Sequence, residues 1–349
     1  MKNIYPFKEF MGLKVSGELL DVGDGDAIVL VLEKENKKLL VVIDGGDTSY
    51  ASKVCEFVSN RCIELKKQGP DLVICTHYDS DHIAGMLKIV EHFQKNIGMI
   101  WVHQPTNFIE ESFKPVTELL ENTIVHSVIA ENLKIIGLSQ TDPDQKFNIL
   151  LESIKQVENL VDLITKYKIP TKEPFAQECD YQGWEEIKIL GPSRDYYNSL
   201  FKRTTLPDFF AEEYRMLLSE SVKVVKKLVA NPCSLLETNP KTSVTNRASV
   251  VIRIDVGTKK LLFTGDAGLD SFETLIGYPN SIRNMEFLKI PHHGSINNIT
   301  KELIEIINPK RAFNSGDKYE NINVINCLRN RGCEVKTTKD GGDLRFVFN

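Results

Sequence analysis

The stretch THYDSDH at 76–82 places four metal-capable side chains, His77, Asp79, Asp81 and His82, within six residues. It follows an apolar run (DLVIC, 71–75) that reads as a strand, and it opens a helical pattern running from about 82 to 94. A strand end followed by a turn lets alternate side chains converge on one point above a sheet, with the scaffold rigid and the loop adaptable. Imidazole nitrogen and carboxylate oxygen together suit zinc, manganese or iron, and two such sets can hold a pair of ions. Carboxylates at a helix start also serve as N-caps. Capping accounts for one of them, not for two carboxylates with two histidines.

Further candidates lie elsewhere in the chain. Asp266 follows an apolar strand in FTGDAG (263–268), and FLKIPHHGS (287–295) ends another in His292, His293, Gly294 and Ser295. Each histidine of that pair needs a polar partner if buried, which makes the pair unusual as core packing. DVGDGDA (21–27) is a tight Gly-containing turn, and Asp44 closes a third apolar run before Gly45-Gly46. Either reads equally well as a plain turn. His103 ends the strand pattern IGMIWV (97–102) and faces either a cleft or ordinary packing; His92 and His126 read as solvated or structural. GDGDA lacks the Lys-Ser/Thr of a phosphate-binding P-loop.

These residues need strands to carry them. Strands are expected at 15–21, 26–33, 38–44, 71–75 and 97–102, with helices at 50–67 and 82–94. From roughly 107 to 245 helical patterns dominate, at 146–167 and 208–229, around one short strand at 186–190. Strand signals return at 248–256 and 259–264, then alternate with helices to a C-terminal hairpin at 333–337 and 343–348. The organisation is therefore one discontinuous α/β domain, 1–106 with 246–349, and a largely helical insert or lid at 107–245. Two strand-rich halves around an insert predict a layered αββα sandwich.

Composition bounds the rest. The chain has 349 residues, 42% apolar and 26% charged, with a formal net charge of −5. It is long enough for a well-buried core and carries no overall basic field. Aliphatic runs such as LLVVI at 39–43 are far short of the roughly 18 residues of a membrane span. Seven cysteines, an odd number without a CxxC pair, predict reduced thiols in a cytoplasmic protein.

The order of these motifs resembles the metallo-β-lactamase superfamily, and in detail its branch typified by the soluble hydrolase domain of the DNA-uptake protein ComEC. DVGDGDA (DVGQGDA in the branch), VIDGG, THYDSDHIAG, ASVVIRI…LLFTGDAG, LKIPHHGS and WEEIKILGPS carry the likeness. The resemblance implies two divalent ions, zinc or manganese. His77 and Asp79 would bind one, Asp81 and His82 the other, with Asp266 bridging and Asp44 orienting the ligands from behind. It also implies a metal-activated hydroxide as nucleophile, and a ligand or transition-state contact from His293 or from His292. Gly294, Ser295, Asn246, Ser249 and His103 are the candidate substrate contacts.

Three departures stand out. Asp79 occupies a position that is His in most of the superfamily, which favours harder ions. TNRAS, with Asn246 and Ser249, stands where many relatives place a further histidine, so one ion is expected to bind more weakly. YENIN (319–323) replaces a late histidine segment. The leading functional expectation is a phosphodiesterase or nuclease acting on nucleic acid or a nucleotide, with no membrane partner. A small-molecule metallohydrolase (lactone, thioester, cyclic or signalling phosphoester) and a non-catalytic module binding a protein through the insert are the alternatives.

Overall fold

In the computed structural model, residues 12–104, 143–201, 231–236 and 242–349 are described, 143–154 by backbone alone. Alternation of apolar side chains makes β1 (Lys14–Leu19), β2 (Ile28–Lys34) and β3 (Lys37–Ile43) an antiparallel meander, with Val15 opposite Leu32 and Leu30 opposite Val41. Helical crossovers then add three parallel strands, β4 (Leu72–Ile74), β5 (Met99–Trp101) and β6 (Thr171–Lys172). The second sheet repeats the plan. Strands β7 (Ile187–Gly191), β8 (Val251–Val256) and β9 (Lys259–Phe263) are antiparallel, and β10 (Phe287–Lys289), β11 (Arg311–Asn314) and β12 (Glu334–Thr337) follow in parallel. The last strand, β13 (Leu344–Phe348), joins the first sheet beside β1.

Each sheet buries both faces. Leu30, Val41 and Ile43, with Phe346 on the edge strand of the same sheet, point inward against Ile252, Phe263 and Phe287 of the facing sheet. Outward, Val29, Val42 and Val73 meet helix α1 (Ala51–Leu65) through Val54 and Val58, and helix α2 (Ser80–Phe93) through Ile83, Met86 and Ile89. The far face of the second sheet carries Leu262, Leu288 and Ala312. They lie under a cover that includes Leu303 and Ile304 of one helix (Lys301–Ile307) and Val324 and Leu328 of another (Ile322–Asn330). Helix, sheet, sheet, helix: this is the αββα sandwich expected from the sequence.

Three expectations change. Of the span 107–245, the described portions are built into the sandwich. Helix α3 (Pro143–Tyr167) packs Leu160 and Ile164 on the outer layer over the first sheet, β6 extends that sheet, and β7 extends the other because Ile187 and Ile189 fill the inter-sheet core. The helix expected at 208–229 lies outside the described residues, as does His126. The C-terminal strands form no hairpin: β12 pairs with β11, and β13 crosses to β1, where Leu344, Phe346 and Phe348 complete the inter-sheet core. Finally, Cys233 and Cys327 form a disulfide across 94 residues, their Cα atoms 4.8 Å apart. The expectation of reduced thiols throughout is thereby corrected, and its argument for the cytoplasm falls with it. Cys55, Cys62, Cys75, Cys179 and Cys333 are free and buried. No described helix is long and apolar enough to cross a membrane.

Candidate metal centre

Parallel strands send their C-terminal ends to one edge of each sheet, and the singled-out residues sit there. Asp44 follows β3, and His77 lies just beyond β4. Asp266 follows β9, while His292 and His293 occupy the turn after β10. The two sheets are tied at this edge by the Val250 N–H donating to the Thr76 carbonyl (2.9 Å). Glycine brings α2 onto it. A Cβ at Gly85 would lie 1.8 Å from the Gly45 carbonyl oxygen, and the Gly45 N–H donates to the His82 carbonyl (2.8 Å). Only two facing glycines allow that approach, which sets His82 against Asp44.

Around Asp266 the side chains converge. Its Oδ1 is 3.4 Å from His82 Nε2, and its Oδ2 is 3.8, 3.7 and 3.6 Å from the Nε2 atoms of His77, His292 and His293. Asp79 Oδ2 lies 3.7 Å from His77 Nε2, and Asp81 Oδ2 lies 3.5 Å from His293 Nε2. Asp79 stands at the N-cap position of α2, yet its side chain makes no capping bond. Capping therefore does not explain it.

The hydrogen bonds behind the rings decide where each imidazole proton sits. His82 Nδ1 is 2.8 Å from Asp44 Oδ2, an acceptor. The Thr76 hydroxyl donates to Asp44 (2.6 Å) and so can only accept from His77 Nδ1 (3.0 Å). His292 Nδ1 faces Asn298 Oδ1 at 2.7 Å, and the Asn298 amide is fixed by donating to the Asp266 carbonyl. Each of these three rings thus carries its proton on Nδ1 and turns a bare Nε2 toward Asp266. The Nε2 atoms of His77, His82 and His293 and Oδ1 of Asp266 are buried without a hydrogen-bond partner. Buried lone pairs facing one another with no proton between them repel, and a cation among them removes the conflict. The donor set fits a divalent metal, with the His77–His82–Asp266 and Asp81–His82–His293 groups each holding their ligand atoms within 4.8 Å of one another.

The carboxylates and rings also shift one another's proton affinities. Burial raises the Asp266 carboxyl, but the charges of His82, His292 and His293 outweigh it and hold the group well below the usual carboxylate range. The His82 ring moves the other way: burial opposes its charge, and Asp266 and Asp44 overcome the burial and raise it well above the ordinary histidine value. Asp81 is likewise lowered, burial being outweighed by His293 and His82. The backbone is strained at the same places. Asp44, His292 and His293 have φ of 58°, 45° and 52°, left-handed values that side chains with a Cβ rarely adopt, each costing about 1–3 kcal/mol.

The remaining candidates fall into place variously. Asn246 approaches the site through its amide, 3.3 Å from His292 Nδ1. The Ser249 hydroxyl accepts from the Asp266 N–H (3.1 Å), holding the backbone at Asp266. Gly294 (φ 82°) accepts the Asn321 N–H, and Ser295 caps its own turn through Asn297. His103 is placed elsewhere: its ring packs between Phe175 and Tyr197, both centroids 4.5 Å away, and not among the groups around Asp266. Three residues were missed. Asp26, Lys289 and Ser315 form a buried chain leading to His293. Two of them lie inside motifs already singled out, and a lysine within an apolar strand was the available signal.

The metallo-beta-lactamase superfamily model matches residues 20–128, a stretch holding Asp44 and the whole 77–82 cluster. That stretch is similar to a metallo-beta-lactamase superfamily domain. That superfamily is one of metal-dependent hydrolases, and the described residues of this chain present candidate metal-binding groups of histidine and aspartate. Among solved structures, the chain is similar to the metallo-beta-lactamase fold protein YhfI from Bacillus subtilis, with 11% identity, a TM-score of 0.42, and coverage of 97% of this chain and 99% of that one. It is also similar to the hydrolase AbOPH of the beta lactamase superfamily, with 11% identity, a TM-score of 0.36, and coverage of 73% and 71%. A comparison with curated proteins finds no significant match.

Proposed function

We propose that the protein is a metal-dependent phosphodiesterase whose substrate is a nucleic acid or a nucleotide. The observation that carries the reading is the convergence of four histidine Nε2 atoms on Asp266, with the Asp79 and Asp81 carboxylates beside His77 and His293. On this reading His77, Asp79 and His292 hold one ion and Asp81, His82 and His293 the other, with Asp266 shared and Asp44 orienting His77 and His82 from behind. Divalent ions in such a cage acidify a water and offset charge developing on an ester oxygen. The chain's own groups keep the rings aimed and exclude bulk water, since every histidine of the set is buried.

Two features support a phosphodiester. Three aspartates make an oxygen-rich ligand set, which suits manganese and phosphate chemistry better than a histidine-only cage. Tyr319, half-buried, lies over His292 with ring centroids 4.6 Å apart, and Lys318 Nζ is 4.7 Å from its centroid. An aromatic face beside a cation suits an anionic ester bearing a base. The motif likeness to the ComEC-type hydrolase domain points the same way. Net charge of −5 is the observation that favours a small-molecule ester instead. Purified protein with manganese or zinc should cleave bis(p-nitrophenyl) phosphate and single- or double-stranded DNA or RNA. Asp266→Asn and Asp81→Asn should each lower the rate at least about 100-fold with the fold retained. Nuclease binding that weakens steeply with salt supports the polymer substrate. No cleavage of any phosphodiester with either metal would overturn the proposal.

A further inference from the structure

Lys289 is the last residue of β10 and about 1% exposed, its side chain directed into the layer between the sheets. A lysine so placed needs a partner, and Asp26, equally buried, supplies one at 2.7 Å. The pair is not self-contained. The other Asp26 oxygen receives the Ser315 hydroxyl in a short hydrogen bond, and Ser315 Oγ is 2.9 Å from His293 Nδ1. A carboxylate accepts and cannot donate, so the hydroxyl proton points at Asp26 and the serine oxygen is left to accept from His293. The proton of that ring is thereby placed on Nδ1. Nε2 is left bare toward Asp81 and Asp266, 3.5 and 3.6 Å away.

We propose that Asp26 and Ser315, anchored by Lys289, are positioning residues that set the tautomer and aim of His293 for metal binding. The same construction appears at His77, on which Asp44 acts through the Thr76 hydroxyl. Both carboxylates flank strands of the first sheet, Asp26 before β2 and Asp44 after β3, so the relay to His293 crosses between the sheets and the relay to His77 does not. The 21–27 turn gains a purpose in the same stroke. Asp24 Oδ1 accepts the N–H groups of Asp317 and Lys318 (3.2 and 2.9 Å), holding the Ser315 loop against the turn that bears Asp26. A Cβ at Gly316 would lie 2.7 Å from the Asp24 Cα, so the two segments touch backbone to backbone. Replacing Lys289 and Asp26 by an apolar pair would leave Ser315 free to turn its proton toward His293.

The inference rests on the metal reading above, and its test separates the two. Ser315→Ala removes the bridge and leaves the Asp26–Lys289 pair intact; Ser315→Thr keeps the hydroxyl. Manganese and zinc affinities are measured by competition with a chromophoric chelator, and the His293 tautomer by long-range proton–nitrogen NMR of the imidazoles. Ser315→Ala should weaken one ion about 10–100-fold and erode the Nδ1–H signature of His293, whereas Ser315→Thr should stay within about threefold of the parent. Asp26→Asn should act in the same direction, with a lower melting temperature because Lys289 loses its partner. Parent-like affinity and an unchanged tautomer in Ser315→Ala, with the parent binding metal, would overturn the positioning role alone. A parent protein that binds neither metal would overturn the metal centre, and the positioning role with it.

Discussion

Nε2 of His103 is buried with no hydrogen-bond partner, and burial lowers this ring from 6.5 to about 3, against the opposing effect of a bond to the Pro174 backbone. The folded protein therefore keeps His103 neutral across a range in which the unfolded chain protonates it. The unfolded state binds the extra proton between pH 6.5 and about 3, so this contribution is whole above 6.5 and is lost as pH falls through that window. At most it amounts to about 5 kcal/mol. His103→Phe should flatten the acid side of the stability profile. Urea midpoints of parent and variant, compared at pH 7 and about pH 4, should show the parent losing more; equal losses would refute the assignment. Residues of this kind explain what was legible. His77, Asp79, Asp81 and His82 share one short motif, so their chemistry shows in the sequence itself. Asp26 and Ser315 are 289 positions apart, and nothing local announces that they meet. Ring orientation at His103 depends on Phe175 and Tyr197, which lie far along the chain, and strand position alone left both a cleft and ordinary packing open.

At the scale of elements, the decisive junction is α2 against the end of β3. The Gly45 and Gly85 backbones are in contact there, and any added carbon at Gly85 must push the helix away, since a Cβ would lie 1.8 Å from a carbonyl oxygen. Gly85→Ala should cost about 1–3 kcal/mol and, by separating His82 from Asp44, should also weaken metal binding. Urea denaturation and chelator competition measure the two effects, and loss of stability without loss of affinity would show that the junction does not set the site. Strand and helix positions in both halves were legible because apolar alternation and 3.6-residue periodicity are local signals. Sheet membership was not. Leu344, Phe346 and Phe348 alternate as any hairpin strand would, and only the open edge beside β1 and the unfilled space between the sheets sends them across.

For the molecule as a whole, the disulfide joins the 232–235 turn to the helix Ile322–Asn330. The residue before that helix, Asn321, donates its N–H to the Gly294 carbonyl in the histidine turn. A crosslink spanning 94 residues restricts the unfolded chain considerably. Reduction, or Cys327→Ser, should lower stability by about 2–4 kcal/mol. Urea midpoints with and without a reductant measure it, and an unchanged midpoint would show that the bond contributes nothing. Cysteine spacing gave no hint of the pairing, because proximity arises only once both segments cover the second sheet. A last point concerns the aromatic layer between the sheets. Phe287 lies 5.6, 5.2 and 4.4 Å, centroid to centroid, from Phe263, Phe313 and Phe346. His77 and His82 hang from one sheet, Asp266, His292 and His293 from the other. Those rings therefore act as a shim whose thickness sets the gap between two jaws: trimming one, well away from any polar atom of the site, changes the bite of the whole vice.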